Sequence, residues 1–364
     1  MKYLFFLGHP AHFHLFKNVI KYLQKNGDDV RIFIKSKDIL EELLTGAGVP
    51  YINALPNGRR DGTMGMIGSV LRKNKELYNY CKKYKPDVLA GNSAEIAHVG
   101  RVLGIPAVNF IDDDYAVVRK FGLATYPFTS VILAPVTCNN GRWNKKTVFY
   151  HGYHKLAYLH PNRFKRNKNI AGKYVSNGRP YFLLRFAKLN AHHDNGIRGI
   201  NNRLAVELVN KLKRHGNVYI SSERGLPEEL EAYRLKINVL DIHHVLAYAD
   251  MFIGDSQSMS VESAMLGTPY IRFSDFSGRI GVLDELENKY NLGFGIRPDQ
   301  PEQLLSKVDE LLAIKELRKI FADRRDKMLN DKIDVTGFFI WFLQNYPESR
   351  EIMEKEPEYQ FRFR

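Results

Sequence analysis

Three histidines lie close together near the start of the chain, in the stretch GHPAHFH at residues 8–14. A neutral imidazole can accept a proton near pH 7, and a charged one can contact an anionic group. Pro10 presets the backbone for a helix start, so His12 falls in the expected first turn and is a predicted catalytic base. His14 is expected to cap the helix or to pack inside. The spacing matches no standard zinc pattern and no acidic residue is near, so no metal site is expected.

A second stretch, GDSQSMSVE at residues 254–262, lies at a predicted strand-to-helix turn. Small and hydroxylated residues in such a turn offer N–H groups and hydroxyls to a phosphate. The residues predicted to bind a nucleotide here are Ser256, Gln257, Ser258 and Met259 on the phosphates and Glu262 on both ribose hydroxyls. Two plainer interpretations stay open: the serines can be ordinary N-caps, and Glu262 can be a first-turn charge that complements the helix dipole.

Arg185 and Asp113 also follow predicted strands. The Arg185 guanidinium can bind a diphosphate through two parallel hydrogen bonds, and the histidines of NAHHD at residues 190–194 lie in the same loop. Asp113 belongs to the run DDD at residues 112–114, which can supply a catalytic base or hold a sugar hydroxyl. An exposed acidic turn is the alternative for that run.

Short apolar runs alternate with amphipathic stretches, a pattern typical of a parallel sheet covered by helices. In such sheets ligands bind outside the carboxyl ends of the strands, where all of these loops fall. The predicted fold class is α/β, with two doubly wound Rossmann-like domains facing across a cleft. The strands are expected at residues 3–7, 30–34, 88–91, 107–111 and 131–134, then at 181–184, 218–221, 251–253 and 270–273.

The domain boundaries follow from the return of this pattern near residue 181. Residues 1–160 are expected to form an N-terminal, acceptor-binding domain and residues 181–332 a C-terminal domain that binds a nucleotide-sugar. Residues 161–180 are predicted to be a basic linker. Residues 333–364 contain the apolar helix VTGFFIWFLQ, expected to return to the N-terminal domain, and a tail, EYQFRFR, expected to be disordered or interfacial.

The composition limits the class of protein. Of the 364 residues, 44% are hydrophobic and 12% aromatic, enough for two cores. Cys81 and Cys138 suggest neither a disulfide nor a metal framework, which predicts a cytoplasmic protein. No apolar run reaches the length of about eighteen residues that a membrane span needs.

The net charge of +14 is concentrated in one segment. Residues 115–193 hold fourteen Lys and Arg but no Asp or Glu, and such a field attracts anionic ligands. A solvated basic face without a ligand is the alternative. No nucleic-acid-binding motif is visible, so nucleic acid is not an expected partner. A peripheral contact with the anionic inner face of the membrane is a further expectation.

Several of these stretches together resemble domain-of-unknown-function family 354, whose members have the glycosyltransferase-B superfold. The resemblance implies this fold for most of the chain, to about residue 345, and no particular reaction. It rests on the first loop and on KPDVLAG at 85–91, FIDDDYA at 110–116, YHGYHKLAYL at 150–159, RFAKLNAHHD at 185–194 and GDSQSMSVESAMLGTPYIRF at 254–273.

Residues 255–269 are also similar to the motif DSGGxQEEAxxLGxP of the non-hydrolysing UDP-N-acetylglucosamine 2-epimerases. That match implies that Ser256 contacts phosphate and Glu262 the ribose. Gln257 and Ser258 replace two glycines, and the epimerases' His-Val-Glu-Ala-Gly segment has no copy, which counts against epimerase chemistry. The lipid-linked N-acetylglucosaminyltransferases are similar in layout, including the first loop, which supports His12.

The leading expectation is a metal-independent, inverting glycosyltransferase of surface polysaccharide synthesis. Its donor substrate would be a nucleotide-sugar, with UDP as the expected nucleotide, and its acceptor a glycan or a lipid-linked molecule. No cofactor is expected. The alternatives are a nucleotide-sugar 2-epimerase and a non-catalytic protein that binds an anionic ligand.

Overall fold

The chain forms two compact α/β units. The first consists of Met1–Tyr158 and Lys332–Arg364, and the second of Leu159–Asp331. The computed structural model describes residues 1–36, 39–54, 62–175, 178–187 and 198–364.

A seven-stranded parallel sheet forms the centre of the first unit, in the order β3-β2-β1-β4-β5-β6-β7. The chain winds outward from β1 to β3 and then in the opposite direction from β4 to β7. The winding therefore reverses between β1 and β4, the position at which open sheets of this kind bind ligands. The strands are β1 (Lys2–Leu7), β2 (Asp29–Ile34), β3 (Ile52–Asn53), β4 (Val88–Gly91), β5 (Ala107–Phe110), β6 (Val131–Pro135) and β7 (Thr147–Tyr150).

Helices connect these strands. The first of them, α1, begins after His9, whose Nδ1 accepts a hydrogen bond from the Ala11 N–H at 3.1 Å. Pro10 occupies its first turn, where a missing N–H costs nothing. The helices are α1 (Pro10–Lys25), α2 (Leu40–Gly46), α3 (Gly62–Tyr84), α4 (Ala94–Leu103), α5 (Arg119–Thr125), the 3₁₀ helix Gly141–Lys146, and α6 (Leu156–Leu159).

The second unit contains a five-stranded parallel sheet in the order β12-β11-β10-β8-β9, which reverses its winding between β8 and β10. Its strands are β8 (Tyr181–Phe186), β9 (Asn217–Ser222), β10 (Met251–Gly254), β11 (Tyr270–Phe273) and β12 (Gly293–Ile296). Its helices are α7 (Lys168–Ala171), α8 (Asn202–Leu212), α9 (Glu228–Glu231), α10 (Ile242–Leu246), α11 (Gln257–Leu266), α12 (Gly281–Asp284), the π-helical turn Glu285–Lys289, α13 (Pro301–Ala313) and α14 (Leu317–Asn330).

The described residues of the basic segment 161–180, expected to be a linker, belong to the second unit. Helix α7 lies in this segment and contacts α10. The Tyr174 hydroxyl donates a hydrogen bond to Asp241 Oδ2 at 2.6 Å. These contacts attach the segment to the body of the unit.

The chain ends on the first unit, with α15 (Val335–Gln344), α16 (Glu348–Lys355) and the 3₁₀ helix Pro357–Phe363. Phe339 of α15 is fully buried, with its ring 4.7 Å from Phe110 and 5.2 Å from Tyr150. The tail is ordered rather than disordered, because Tyr359 stacks on Trp341 at 4.7 Å. None of the helices traced in the described residues combines the length and the apolar composition that crossing a bilayer requires.

Candidate functional site

The reversal point of the second sheet brings two of the predicted loops side by side. Gly254 at the end of β10 is the register partner of Arg185 in β8. A Cβ on Gly254 would lie 2.7 Å from the Arg185 carbonyl oxygen, well inside contact distance. The chain can therefore turn from β10 into α11 at this point only because residue 254 is a glycine.

Helix α11 starts at this turn. Its N-cap is Ser256, whose Oγ accepts a hydrogen bond from the Met259 N–H at 3.4 Å, so the serine does act as a cap. Met259 itself is buried and its N–H is occupied. Ser256, Gln257 and Ser258 are partly exposed. The N–H groups of Gln257 and Ser258 lie in the first turn and have no intrahelical acceptor, so they can bind an anion at the positive end of the helix dipole.

The side chain of Gln257 is engaged within the protein. Its Nε2 donates to Ser274 Oγ at 2.9 Å, and its Oε1 accepts from Arg272 Nη1 at 2.8 Å. Arg272 is fully buried and forms an ion pair with Glu287 at 2.9 Å. This network fixes the first turn of α11 and leaves the backbone N–H of Gln257, rather than its amide side chain, to contact a ligand.

Glu262 lies in the second turn of α11, where the helix dipole acts weakly, so the first-turn interpretation does not apply. Its carboxylate is largely buried, and Oε1 is 3.3 Å from His243 Nε2. His243, at the start of α10, carried no separate signal in the sequence. The pair holds the Glu262 carboxylate in one orientation.

Arg185 is held by β9. Its Nη1 donates to Ser221 Oγ at 2.6 Å, and the guanidinium also forms an ion pair with the exposed Glu223. The neighbouring Asp255 is 1% exposed and accepts hydrogen bonds from the N–H groups of Ala187 and Ile200. Burial raises the pKa of Asp255 to about 6. The motif at residues 190–194 lies outside the described residues.

In the first unit, His12 follows β1 as predicted, but its contacts favour hydrogen-bond donation over proton uptake. Nδ1 accepts a hydrogen bond from the Gly8 N–H at 3.1 Å. Burial, followed by the charge of His9, lowers the pKa of His12 to about 3. The ring is therefore neutral near pH 7, and the Gly8 contact assigns its proton to Nε2. In this tautomer Nε2 carries the hydrogen that His12 can donate to a ligand. His14 is buried against the rings of Phe13 and Tyr158, as expected.

Asp112 follows β5 and is bound by two residues that follow β7. His154 Nδ1 and Lys155 Nζ each lie 3.2 Å from Asp112 Oδ2. Burial alone would raise the pKa of Asp112, but the charges of His154 and Lys155 outweigh it and hold that pKa well below its usual range. Asp112 is thus ionised. His154 and Lys155 were missed as site residues, although both lie in the motif at residues 150–159.

Asp113 has the opposite electrostatics. Burial, and then the adjacent charge of Asp112, raise the pKa of Asp113 to about 7. A carboxyl group with a pKa near the working pH is suited to take up and release a proton. Asp113, His12 and Asp112 interact electrostatically within one unit. Among the described residues no group of three or more His, Cys, Asp or Glu could hold a metal ion.

The two Rossmann-like units match solved proteins of the glycosyltransferase-B superfold. The UDP-GlcNAc 2-epimerase from Methanocaldococcus jannaschii is 16% identical, with a TM-score of 0.63 over 86% of this chain and 94% of that one. The UDP-GlcNAc 2-epimerase from Neisseria meningitidis, solved bound to UDP-GlcNAc, is 12% identical, with a TM-score of 0.60 over 91% of this chain and 99% of that one. At such identities the likeness shows the fold alone.

A solved glycosyltransferase has the same fold. The spinosyn rhamnosyltransferase SpnG, complexed with spinosyn aglycone, is 16% identical, with a TM-score of 0.60 over 95% of this chain and 100% of that one. The family model described as protein of unknown function (DUF354) matches residues 4–286, and the chain belongs to that family. No curated protein sequence matches the chain.

Proposed function

We propose that this protein is a metal-independent, inverting glycosyltransferase with a UDP-sugar as its donor. The observation that carries the proposal is the α11 turn: a partly exposed helix N-terminus at the reversal point of the second sheet, with an oriented carboxylate one turn further on. A diphosphate fits the free N–H groups of such a turn, and vicinal ribose hydroxyls fit a carboxylate. The Neisseria relative bound to UDP-GlcNAc supports a ligand of this class.

The second unit binds the donor under this proposal. The diphosphate contacts the N–H groups of Gln257 and Ser258, the Ser258 hydroxyl and the Arg185 guanidinium. Glu262 accepts hydrogen bonds from the ribose. The helix dipole and Arg185 stabilise the negative charge that develops as the nucleotide departs, so the step needs no metal.

The first unit binds the acceptor and supplies the base. The acceptor hydroxyl oxygen attacks the anomeric carbon, and the bond from that carbon to the diphosphate oxygen breaks, leaving both of its electrons on UDP. Asp113 takes the hydroxyl proton, since its pKa of about 7 suits a base. His12 donates a hydrogen bond from Nε2 and does not act as the base. The acceptor is a glycan or a lipid-linked molecule, and the product belongs to surface polysaccharide synthesis.

A nucleotide-sugar 2-epimerase is the second candidate, favoured by the solved epimerases with this fold. The two reactions differ in their need for an acceptor. Incubation with UDP-GlcNAc alone, followed by NMR, should leave the sugar unchanged at C2. If the C2 epimer appears without an acceptor, the proposed function becomes epimerisation rather than glycosyl transfer.

The donor class is tested by thermal melting with UDP, GDP, CDP and their sugars. We expect UDP to raise the melting temperature, because a ligand at a hundred times its Kd stabilises the folded state by about 2.7 kcal/mol. A larger rise of the melting temperature with GDP or CDP than with UDP would show that the donor carries that nucleotide instead. No shift with any nucleotide would contradict a nucleotide-sugar site.

A further inference from the structure

Helix α5, the turn that follows it and the 3₁₀ helix Gly141–Lys146 lie side by side on the first unit. Lys146 Nζ donates to the carbonyl oxygens of Tyr126 and Thr129, at 3.3 and 2.9 Å. The ring of Tyr126 is 6.3 Å from that of Trp143. These contacts make one continuous surface of residues that are separate in the sequence.

The exposed side chains of this surface are cationic or apolar. Leu123 is 46% exposed and Phe128 is 43% exposed, and both lie among the cations. We define the α5 surface by these two residues and by the exposed cations Arg119, Lys120, Arg142 and Lys145.

No acidic side chain neutralises these cations from within their own segment, since residues 115–193 contain no Asp or Glu. Within the described part of the chain none of the four has an ion-pair partner; Arg142 instead lies over the Trp143 ring at 4.8 Å. Two acids of the same unit have partners elsewhere: Glu95 is buried with Lys73, and Glu354 binds Arg350. Asp114, which precedes α5, accepts a hydrogen bond from the Asn139 N–H at 2.7 Å. The α5 surface thus keeps its positive charge.

We propose that the α5 surface docks on the headgroup layer of an anionic lipid bilayer. Cations near an anionic leaflet attract it, each contributing about 1 kcal/mol. Leu123 and Phe128 can enter the boundary with the acyl chains while the cations stay among the headgroups. The proposal does not depend on the glycosyl-transfer reaction.

The mixture of side chains favours lipid over nucleic acid. Nucleic-acid surfaces present aromatic rings on which bases stack, along a basic groove. The α5 surface presents an aliphatic side chain and one phenyl ring among its cations, and a phosphate backbone would leave both of these apolar groups without a partner.

Co-sedimentation of the full chain with lipid vesicles tests the proposal. We expect binding to phosphatidylcholine vesicles that contain phosphatidylglycerol and none to pure phosphatidylcholine. Binding should weaken with salt, because the screening length falls from about 10 Å at 0.1 M to about 3 Å at 1 M. Binding to pure phosphatidylcholine at equal strength would overturn the proposal.

Two double variants separate the charged from the apolar contribution. Arg119→Glu with Lys120→Glu should weaken vesicle binding by about 30-fold or more, the loss of two cations at about 1 kcal/mol each. Leu123→Ser with Phe128→Ser should weaken it by about 10-fold or more, because apolar side chains leave the bilayer. Thermal melting should show the charge variant as stable as the parent, since Arg119 and Lys120 are exposed. The serine variant loses the 5.0 Å contact between the Phe128 and His98 rings and should melt slightly lower while staying folded at the temperature of the binding assay.

Matched substitutions elsewhere on the first unit serve as controls. Lys21→Glu with Lys25→Glu makes the same change of net charge on α1, and Leu71→Ser removes an apolar side chain that is 64% exposed. Both controls should bind vesicles like the parent. Equal weakening by the controls would overturn the assignment of the surface. A second outcome is that a single-stranded oligonucleotide displaces the parent from vesicles while the Leu123 and Phe128 changes leave vesicle binding unaltered. That pair of results would identify the surface as a site for polyanions instead of lipid.

Discussion

Asp112 and Asp113 are consecutive in the chain, yet their pKa values move in opposite directions. Both carboxyls lie at the end of β5, where burial raises the pKa of each. Asp112 Oδ2 lies 3.2 Å from both His154 Nδ1 and Lys155 Nζ, and these contacts hold the Asp112 pKa down. For Asp113 the weaker effect of Lys155 is outweighed by burial and by the charge of Asp112. Because Asp112 is held ionised, its charge makes ionisation of Asp113 harder. Two carboxyls with separated pKa values are the usual arrangement at an acid–base site.

The pH profile of transfer should report Asp113. A base works in its ionised form, so kcat/KM should fall as the pH drops, with a midpoint near the Asp113 pKa of about 7. Of the two neighbouring carboxylates, Asp112 raises the Asp113 pKa more. Asp112→Asn should therefore move this midpoint to lower pH. Asp114→Asn should move it less, since Asp114 is the weakest contributor. A midpoint that Asp112→Asn leaves in place would contradict this account.

Asp113→Asn should remove transfer activity while stabilising the fold at alkaline pH. Loss of a general base lowers the rate by about 10²- to 10⁴-fold. The folded pKa of about 7 exceeds the usual 3.8, so the protonated carboxyl favours the folded state below pH 3.8, and this contribution is lost as the pH rises through 7. At pH 8 the asparagine avoids the buried charge, and the melting temperature should exceed that of the parent by about 2 °C or more. A lower melting temperature at pH 8 would show that Asp113 is stabilising as an anion.

The turn from β10 into α11 shows how one element creates the nucleotide site. Asp255, a buried N-terminal neighbour of the helix, ties the end of β10 to residues 187 and 200. Gln257, Arg272 and Glu287 fix the first turn from the other side. The N–H groups of Gln257 and Ser258 therefore have a fixed direction before any ligand binds, which reduces the entropy cost of binding.

Gly254→Ala should disturb this turn. The added Cβ would meet the Arg185 carbonyl oxygen at 2.7 Å, so β8 and β10 must separate. We expect a loss of about 1–3 kcal/mol of stability and weaker UDP binding. Gly225→Ala is the matched control, because a Cβ there meets nothing within 4 Å. Equal behaviour of the two variants in denaturant unfolding and UDP titration would contradict the assigned role of Gly254.

The sequence predicted the strands that are apolar and continuous, and it missed those that are not. All nine expected strands are present, whereas β3, β7 and β12 were not predicted. Strand β3 has two residues, and β12 reads GFGI, in which glycines lower the β-propensity. Strand β7 is short and half-buried within the basic segment. Because β7 was missed, His154 and Lys155 could not be placed at the sheet edge beside Asp112.

The candidate site was predictable in its loops but not in its contacts. The first loop, Asp113, Arg185 and the α11 turn all lie at carboxyl ends of strands, as periodicity and turn residues indicated. Packing between residues that are distant in the sequence decides which polar atoms of these loops already have a hydrogen-bond partner. Gln257 binds Ser274 and Arg272, and the pairing of Glu262 with His243 joins two helices. No local pattern in the sequence carries such contacts.

The whole chain divides so that each unit contains its own polar site. The basic excess that is continuous in the sequence is shared by both units, with Arg119 and Lys155 in the first and Arg163 and Arg179 in the second. The last helices complete the first unit, where Phe339 packs on Phe110 and Tyr150.

Phe339→Ala should therefore destabilise the first unit and spare nucleotide binding. Truncation of a fully buried phenylalanine costs about 3–5 kcal/mol, which denaturant unfolding would measure. All the residues proposed to bind UDP belong to the second unit. At denaturant concentrations too low to unfold the variant, its Kd for UDP should therefore stay within about twofold of the parent value. A fall in UDP affinity in parallel with stability would contradict this division of labour.

Calorimetric titration of UDP into the parent, Glu262→Gln and Glu207→Gln tests the nucleotide site directly. Glu207 is an exposed carboxylate on α8 of the same unit and serves as the matched control. We expect UDP to bind the parent and the Glu207 variant equally, and the Glu262 variant about 10- to 100-fold more weakly, since a hydrogen bond to a charged group contributes about 1.5–3 kcal/mol. Absence of UDP binding to the parent, or equal affinity in all three proteins, would contradict the assignment of the α11 turn.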